Sequence, residues 1–198
     1  VDTWGVDKAF LELDIELVSY PYHYRDSRTK GMSDAVTEIV SREEIFEQTG
    51  LQFMELNTLF QLYAMKDSAA LERADTLLMM PDLFHYWFSG NKVCEFSDAS
   101  TTQFHNPRAG DWARGLLDKL QLPSHILPEI VPPASEVGSL SKHVAEECGV
   151  GPLAVITPAS HDTGSAVAAV PAKGKAWAYL CSGTWSLLGA DTDNPYVT

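Results

Sequence analysis

The chain has 198 residues, of which 45% are hydrophobic and 21% are charged, so it can bury a sizeable core. This composition excludes a small disulfide-stapled domain and a disordered tail. The formal net charge of −13 repels phosphate backbones and anionic lipid, so we expect no nucleic-acid partner. A nucleotide can still bind where backbone N–H groups, a helix N-terminus or Mg²⁺ overcome the overall field.

The first elements predict a strand pair followed by helices. Residues 1–20 have the pattern of a β-hairpin with a turn near Asp14. A short amphipathic helix is predicted over 33–40. Ser41 to Glu44 is a capping box that begins a second helix, and Gly50 can end it.

The middle of the chain is predicted to be helical. Asn57 can cap a third helix, and a fourth is predicted over 81–90 with a broad apolar face that is typical of a core. Asp111 is predicted to begin another helix, and a proline-rich loop follows it. Residues 139–148 are again helix-like.

Strands return near the end of the chain. Residues 153–157 predict a buried strand, because they form a short apolar run between turn residues. The segment 158–165 connects it to a helix of small residues over 166–170. Two further strands are predicted over 176–181 and 185–188.

Other features of the sequence bear on the cellular context. The three cysteines do not form a CxxC pair or an even disulfide set, which favours a reducing cytosol. No apolar run reaches the length of a membrane span, and no leader opens the chain, so we expect a cytoplasmic protein without a membrane partner. Strand-like runs at both ends predict an internal fragment of a longer protein.

His161 and Asp162 lie at the predicted strand-to-helix connection, where ligands gather in open α/β folds. A carboxylate there can accept a proton from a substrate hydroxyl, and a neighbouring histidine can orient the substrate. Asp162 as a helix cap and His161 as a polar loop residue remain an alternative interpretation.

Two further segments have a ligand-binding and a purely structural interpretation. Residues 182–184 form a Ser-Gly-Thr turn whose N–H groups and Thr184 hydroxyl could receive a phosphate, or which is an ordinary hairpin turn. The cluster at 24–29 offers arginines and a carboxylate for ligand contact or for local pairing. Neither common nucleotide-binding glycine loop is present, and the histidines lack the spacing of zinc ligands.

Two residue types near the start bear on chemistry as well. Gly5 lies at a strand position where a glycine lets a ligand approach the backbone closely. Asp2 and Asp7 point to opposite faces of a strand, which disfavours a paired-carboxylate glycosidase.

Together, these segments resemble the FGGY family of carbohydrate kinases. The resemblance rests on a series of motifs in a fixed order over nearly the whole chain. In order, these motifs are residues 2–7 (DTWGVD), 24–29 (YRDSRT), 50–53 (GLQF), 57–62 (NTLFQL), 80–84 (MPDLF) with Gly90, 99–103 (ASTTQ), 159–163 (ASHDT) and 182–186 (SGTWS).

The resemblance implies an α/β, actin-like ATPase (ribonuclease-H-like) fold that is present here in part. It implies an N-terminal sugar-binding domain over 1–173 and the first strands of a second domain over 174–198. The implied reaction transfers the γ-phosphoryl of ATP, with Mg²⁺, to a ketose, for which we expect the 1-hydroxyl of L-rhamnulose.

The resemblance also assigns roles to single residues. Gly5 would contact the sugar through its backbone, and His161, Asp162 and Thr163 would hold it, with Asp162 as general base. Thr184 would line the ATP phosphates, and no metal ligand is assigned. Two alternatives remain open: a kinase of the same family for fuculose, xylulose or an autoinducer, and a sugar-binding module without catalysis. The fragment alone is expected to be inactive.

Overall fold

The computed structural model describes residues 8–12, 16–24, 26–174, 176–183 and 185–197. Short helices and strands alternate along these ranges. The helices are Met32–Thr37 (α1), Arg42–Thr49 (α2), Thr58–Ala64 (α3), Ala69–Glu72 (α4), Met80–Ser89 (α5), Phe96–Ala99 (α6), Arg114–Lys119 (α7), Lys142–Cys148 (α8) and Asp162–Ala168 (α9), with a 3₁₀ turn at Ser27–Thr29. The strands are Ala9–Glu12 (β1), Glu16–Leu17 (β2), Thr76–Leu78 (β3), Val93–Glu95 (β4), His105–Asn106 (β5), Asp111–Trp112 (β6), Glu129–Val131 (β7), Glu136–Ser139 (β8), Ala154–Ile156 (β9), Ala178–Ser182 (β10) and Ser186–Ala190 (β11).

The strands pair mostly in an antiparallel manner. β1 lies between β2 and β3 and is antiparallel to both. The pairs β5–β6, β8–β9 and β10–β11 are also antiparallel, whereas β4 and β7 are parallel. In the sequence, β4 precedes α6 and β7 follows α7, so the β4–β7 pair joins segments that are distant along the chain. α6 begins directly after β4.

Helix ends follow the local chemistry of the sequence. The Ser41 hydroxyl accepts the backbone N–H of Glu44 over 3.2 Å, which satisfies a donor that the first turn of α2 leaves free. Gly50 ends α2 with a φ of +64°, and Gly90 ends α5 with a φ of +79°, a region that glycine enters without steric cost. These predicted helix boundaries are confirmed.

The core lies between the helices of the first two thirds of the chain. Its fully buried side chains come from α3, α7 and the strands β1 and β3, together with single residues of neighbouring segments. Among them are Phe10, Val36, Ile45, Leu59, Phe60, Leu62, Leu77, Phe104, Leu116 and Leu117. Lys8 is also buried, and its ammonium donates to the Gln61 side-chain oxygen over 3.0 Å. A buried charge needs such a partner, because it has lost its hydration.

The predicted N-terminal hairpin is confirmed where the structure describes it, since Leu11 pairs with Leu17 and Glu12 with Glu16. Residues 1–7 and the turn around Asp14 lie outside the described residues.

Two sequence predictions are wrong. Asp111 was predicted to begin a helix, but it belongs to β6, and α7 begins at Arg114. The strand over 153–157 was predicted to be buried, but Leu153 is 54% exposed and Ile156 is 47% exposed. Among the described residues, β9 pairs only with β8, and this pairing leaves Leu153 and Ile156 largely exposed. Within the described ranges, no helix combines the length and the apolar character that crossing a bilayer requires.

Candidate functional site

The connection between β9 and α9 presents one carboxylate to solvent. His161 is the residue that caps α9, and Asp162 is its first helical residue. The Asp162 side chain is 61% exposed, whereas that of His161 is 13% exposed, and His161 Nε2 lies 3.7 Å from Asp162 Oδ1. The same oxygen accepts the backbone N–H of Thr163 over 2.6 Å. The structure therefore aims an accessible carboxylate away from the protein and holds one of its oxygens in place.

A buried carboxylate holds the backbone in front of Asp162. Glu95, at the end of β4, has no exposed surface. Its Oε2 accepts the N–H of Ser160 over 2.8 Å and also the hydroxyl of Ser97. The Ser97 hydroxyl oxygen in turn accepts the N–H of His161 over 3.0 Å. Two consecutive backbone groups before Asp162 are thus bound to the β4–α6 corner.

A second buried acid, Asp82, is hydrogen-bonded to the β4–α6 corner. Asp82 Oδ1 accepts the backbone N–H of Glu95 over 3.0 Å and lies 3.7 Å from Nδ1 of His85. Burial raises the pKa of Asp82, and the neighbouring His85 and the backbone N–H of Glu95 offset only part of that rise. Burial also raises the pKa of Cys94, and the nearby acids reinforce the shift.

The helix α9 packs closely on this corner. A Cβ added to Gly164 would lie 3.3 Å from the Cβ atoms of both Ser97 and Ala159. The Ser165 hydroxyl donates to the Ala159 carbonyl over 2.6 Å, which closes the connection from the helix side. The sequence patterns singled out His161, Asp162 and Thr163 but not Glu95 and Ser97, because no local pattern relates these two residues to a segment that follows about 65 positions later.

Two further predicted site residues belong to the ends of the chain. Gly5 and Thr184 lie outside the described residues. Beside Thr184, the N–H of Gly183 donates to the Trp185 carbonyl over 2.8 Å, and the hydroxyls of Ser182 and Ser186 lie 3.3 Å apart. The Gly183 N–H is therefore engaged within the hairpin.

A cavity with a volume of about 740 Å³ lies elsewhere among the described residues. It brings Trp185 of the C-terminal hairpin to the motif at 24–29, a juxtaposition that the sequence did not indicate. Its lining residues are Tyr24, Asp26, Ser27, Thr29, Lys30, Glu55, Leu56 and Trp185. His161, Asp162 and Thr163 do not line it.

The 24–29 motif, part of which lines this cavity, is also held by local contacts. Asp26 accepts the backbone N–H of Arg28 over 2.9 Å, which is a local capping contact. The Arg28 guanidinium lies 3.9 Å from the centre of the Tyr22 ring. Arg25 lies outside the described residues.

Over the ranges that the structure describes, no three histidine, cysteine or acidic side chains come together as metal ligands.

The chain matches the N-terminal domain of the FGGY family of carbohydrate kinases over residues 2–169. It is 43% identical over 198 residues to a rhamnulokinase of Pectobacterium atrosepticum, a match that covers 99% of this chain and 39% of that protein. It is also 43% identical over 200 residues to a rhamnulokinase of Bacteroides thetaiotaomicron, covering 100% of this chain and 41% of that protein. The chain thus spans about two fifths of the length of these relatives.

Solved structures of lower sequence identity share the fold. A carbohydrate kinase from Novosphingobium aromaticivorans superposes with a TM-score of 0.81 at 22% identity, over 99% of this chain and 42% of that chain. A ligand-bound xylulose kinase from Lactobacillus acidophilus gives a TM-score of 0.72 at 18% identity, over 80% of this chain and 33% of that chain.

Proposed function

The chain belongs to the FGGY family of carbohydrate kinases, and from this premise we propose that the protein containing it transfers the γ-phosphoryl group of ATP to the 1-hydroxyl of L-rhamnulose. The predicted α/β chain with part of an actin-like ATPase fold is confirmed. The names of the relatives that are 43% identical over nearly the whole chain support this acceptor. We also propose the domain division into 1–173 and 174–198, and a cytoplasmic location where ATP is available.

The observation that carries the proposal is the exposed Asp162 carboxylate at the start of α9. As general base, it accepts the proton of the sugar hydroxyl while that oxygen bonds to the γ-phosphorus of ATP, and the bond to the β-phosphate oxygen breaks to release ADP. Phosphoryl transfer asks little covalent chemistry of the protein, so alignment of the hydroxyl is the main task.

The other site residues hold the substrates. His161 and Thr163 flank the base and can hydrogen-bond the sugar, and Gly5 would contact it through the backbone. Thr184 would line the ATP phosphates. Mg²⁺ bound with ATP neutralises phosphate charge. The described residues form no cluster of metal ligands, and we assign the ion no ligand among them.

The test is ADP release by the complete protein that carries this chain, measured with L-rhamnulose, L-fuculose, D-xylulose and an autoinducer as acceptors. L-Rhamnulose should give the highest kcat/KM. Asp162→Asn should lower kcat by roughly 10²–10⁴-fold, because it removes the base and keeps the shape of the side chain. Asp34→Asn is a matched control, since Asp34 is an exposed acid in the first turn of α1.

Three results would contradict parts of the proposal. A higher kcat/KM for another ketose would replace the acceptor. Normal turnover of Asp162→Asn would remove Asp162 from the mechanism. Sugar binding without ADP release from any acceptor would identify a binding module that has lost catalysis.

A further inference from the structure

We propose that Glu95 and Ser97 are positioning residues, which hold the His161–Asp162 connection in the geometry that phosphoryl transfer needs. The inference rests on the proposed role of Asp162. Neither residue touches the substrate in this scheme, and both act through the backbone that carries the base.

Three donor groups converge on the buried side chain of Glu95. Glu95 Oε1 accepts the N–H of Ser97 over 3.0 Å, and Oε2 accepts both the Ser97 hydroxyl and the N–H of Ser160. A buried carboxylate that has lost its hydration is stable only with such partners. Because its partners lie on two segments, the side chain ties the connection to the β4–α6 corner.

The second support is the identity of the groups that are held. They are the backbone N–H groups of Ser160 and His161, the two residues immediately before Asp162. The Asp162 side chain itself is largely exposed, so little packing fixes its position from outside. Its orientation therefore depends on the backbone from which it projects. A displacement of about 1 Å in such a group can lower a rate by about 10²-fold.

A carboxamide of the same shape cannot replace Glu95. One of the two oxygen positions would become an NH₂ group, and each position now accepts a backbone N–H. In either orientation of the amide, one backbone donor would face another donor and lose its partner. Glu95→Gln is thus a probe that changes hydrogen bonding with little change in volume.

The experiment measures kcat, the KM for each substrate and the melting temperature of the complete protein. Glu95→Gln should lower kcat by about 10-fold to 10²-fold with the KM for ATP unchanged. Ser97→Ala should lower kcat in the same direction, since it removes the acceptor of the His161 N–H. Ser100→Ala is the matched control, because its hydroxyl donates only to the Ser97 carbonyl and does not reach the connection. Its kcat should stay at the wild-type value.

A double-mutant cycle separates positioning from general weakening of the fold. If Glu95 acts through Asp162, Glu95→Gln should lower kcat further by no more than about twofold when Asp162→Asn is already present. An equal loss in both backgrounds would overturn the proposal, and so would a wild-type kcat in Glu95→Gln. If Glu95→Gln does not fold, Ser97→Ala decides: a loss no larger than that of Ser100→Ala would overturn it. Failure of the proposed base is a different result, because Asp162→Asn would then retain activity by itself.

Discussion

Gly164 of α9 lies so close to Ser97 of α6 that a Cβ on the glycine would stand 3.3 Å from the serine Cβ. The same added atom would stand 3.3 Å from the Cβ of Ala159. Such distances are shorter than ordinary carbon contacts of about 3.5–4.0 Å, so the neighbours would have to move. The absence of a side chain at position 164 therefore allows the helix that carries Asp162 to rest directly on the β4–α6 corner.

Gly164→Ala should change both the stability and the activity of the protein, and the two changes can be measured separately. Alanine favours a helix over glycine by about 1 kcal/mol, whereas overpacking costs about 1–3 kcal/mol, so the net destabilisation should be about 0–2 kcal/mol. The shift of α9 against α6 displaces Asp162, and we expect kcat to fall by about 10-fold. Urea unfolding and steady-state kinetics measure the two quantities.

Gly115→Ala is the control for that substitution. Gly115 lies in α7, and an added Cβ there meets no atom within 4 Å. The variant should be more stable by up to about 1 kcal/mol and should keep its kcat. Equal kcat values for the two alanine variants would show that the close approach at Gly164 does not position the Asp162 carboxylate for catalysis.

The imidazole of His105 should make stability depend on pH. His105 is buried in β5, edge-on to the Phe96 ring at 5.4 Å. Burial lowers its pKa below the ordinary value of 6.5, and Asp111 offsets part of the shift. The unfolded chain then binds more protons below pH 6.5 than the folded chain does. Folding stability should therefore fall as the pH drops from 6.5 through the lowered pKa.

The measurement is the free energy of unfolding at a series of pH values between 7.5 and 4.5, chosen to span the ordinary histidine pKa of about 6.5. His105→Gln should lose the part of the slope below pH 6.5 that this histidine contributes. Identical slopes in the wild type and His105→Gln would refute the assignment.

Gln103 occupies a left-handed backbone conformation with a φ of +65°. Its side-chain oxygen accepts the Asn57 amide over 2.8 Å, and both residues are buried. Gln103→Ala loses this hydrogen bond and should be destabilised by about 1–3 kcal/mol. Gln103→Gly loses the same bond but relieves the left-handed strain, so it should be about 1 kcal/mol more stable than the alanine variant.

At an exposed helical position, the alanine and glycine variants should have the opposite order of stability. Glu43 lies in the first turn of α2, where glycine should be less stable than alanine by up to about 1 kcal/mol. Chemical denaturation of Gln103→Ala, Gln103→Gly, Glu43→Ala and Glu43→Gly measures these differences in stability. If alanine is the more stable residue at both positions, the backbone at Gln103 is not strained.

Helices with local signals were predictable from the sequence. The Ser41 cap and the glycines at positions 50 and 90 act within one turn of the chain, so their effect is visible in a short window of sequence. The short strands β3, β4 and β7 were missed, because each has three residues and depends on a distant partner. Tertiary pairing, and not local propensity, decides such segments.

The candidate site divides in the same way. His161 and Asp162 stood out because they follow a strand and precede a helix. Glu95 did not, because its hydrogen bond with the Ser160 N–H forms only when the chain folds. The predicted burial of residues 153–157 failed for a related reason: an apolar run indicates a strand but does not reveal how many neighbours cover it.

The buried Asp82 should destabilise the folded protein at neutral pH. In acid, this destabilisation should be small. Burial raises its pKa above the ordinary value of 3.8, so above pH 3.8 the unfolded chain releases this proton more readily than the folded chain. The contribution of Asp82 to stability therefore declines as the pH rises from 3.8 through the raised pKa. Asp82→Asn removes the titration, and its amide oxygen can still accept the Glu95 N–H.

The free energy of unfolding of Asp82→Asn, relative to the wild type, should accordingly rise between pH 3.8 and neutrality. The asparagine NH₂ can occupy the position of Oδ2, which makes no hydrogen bond to the described residues. A relative stability of Asp82→Asn that falls with rising pH would mean that the folded protein favours the ionised acid, contrary to the effect of burial.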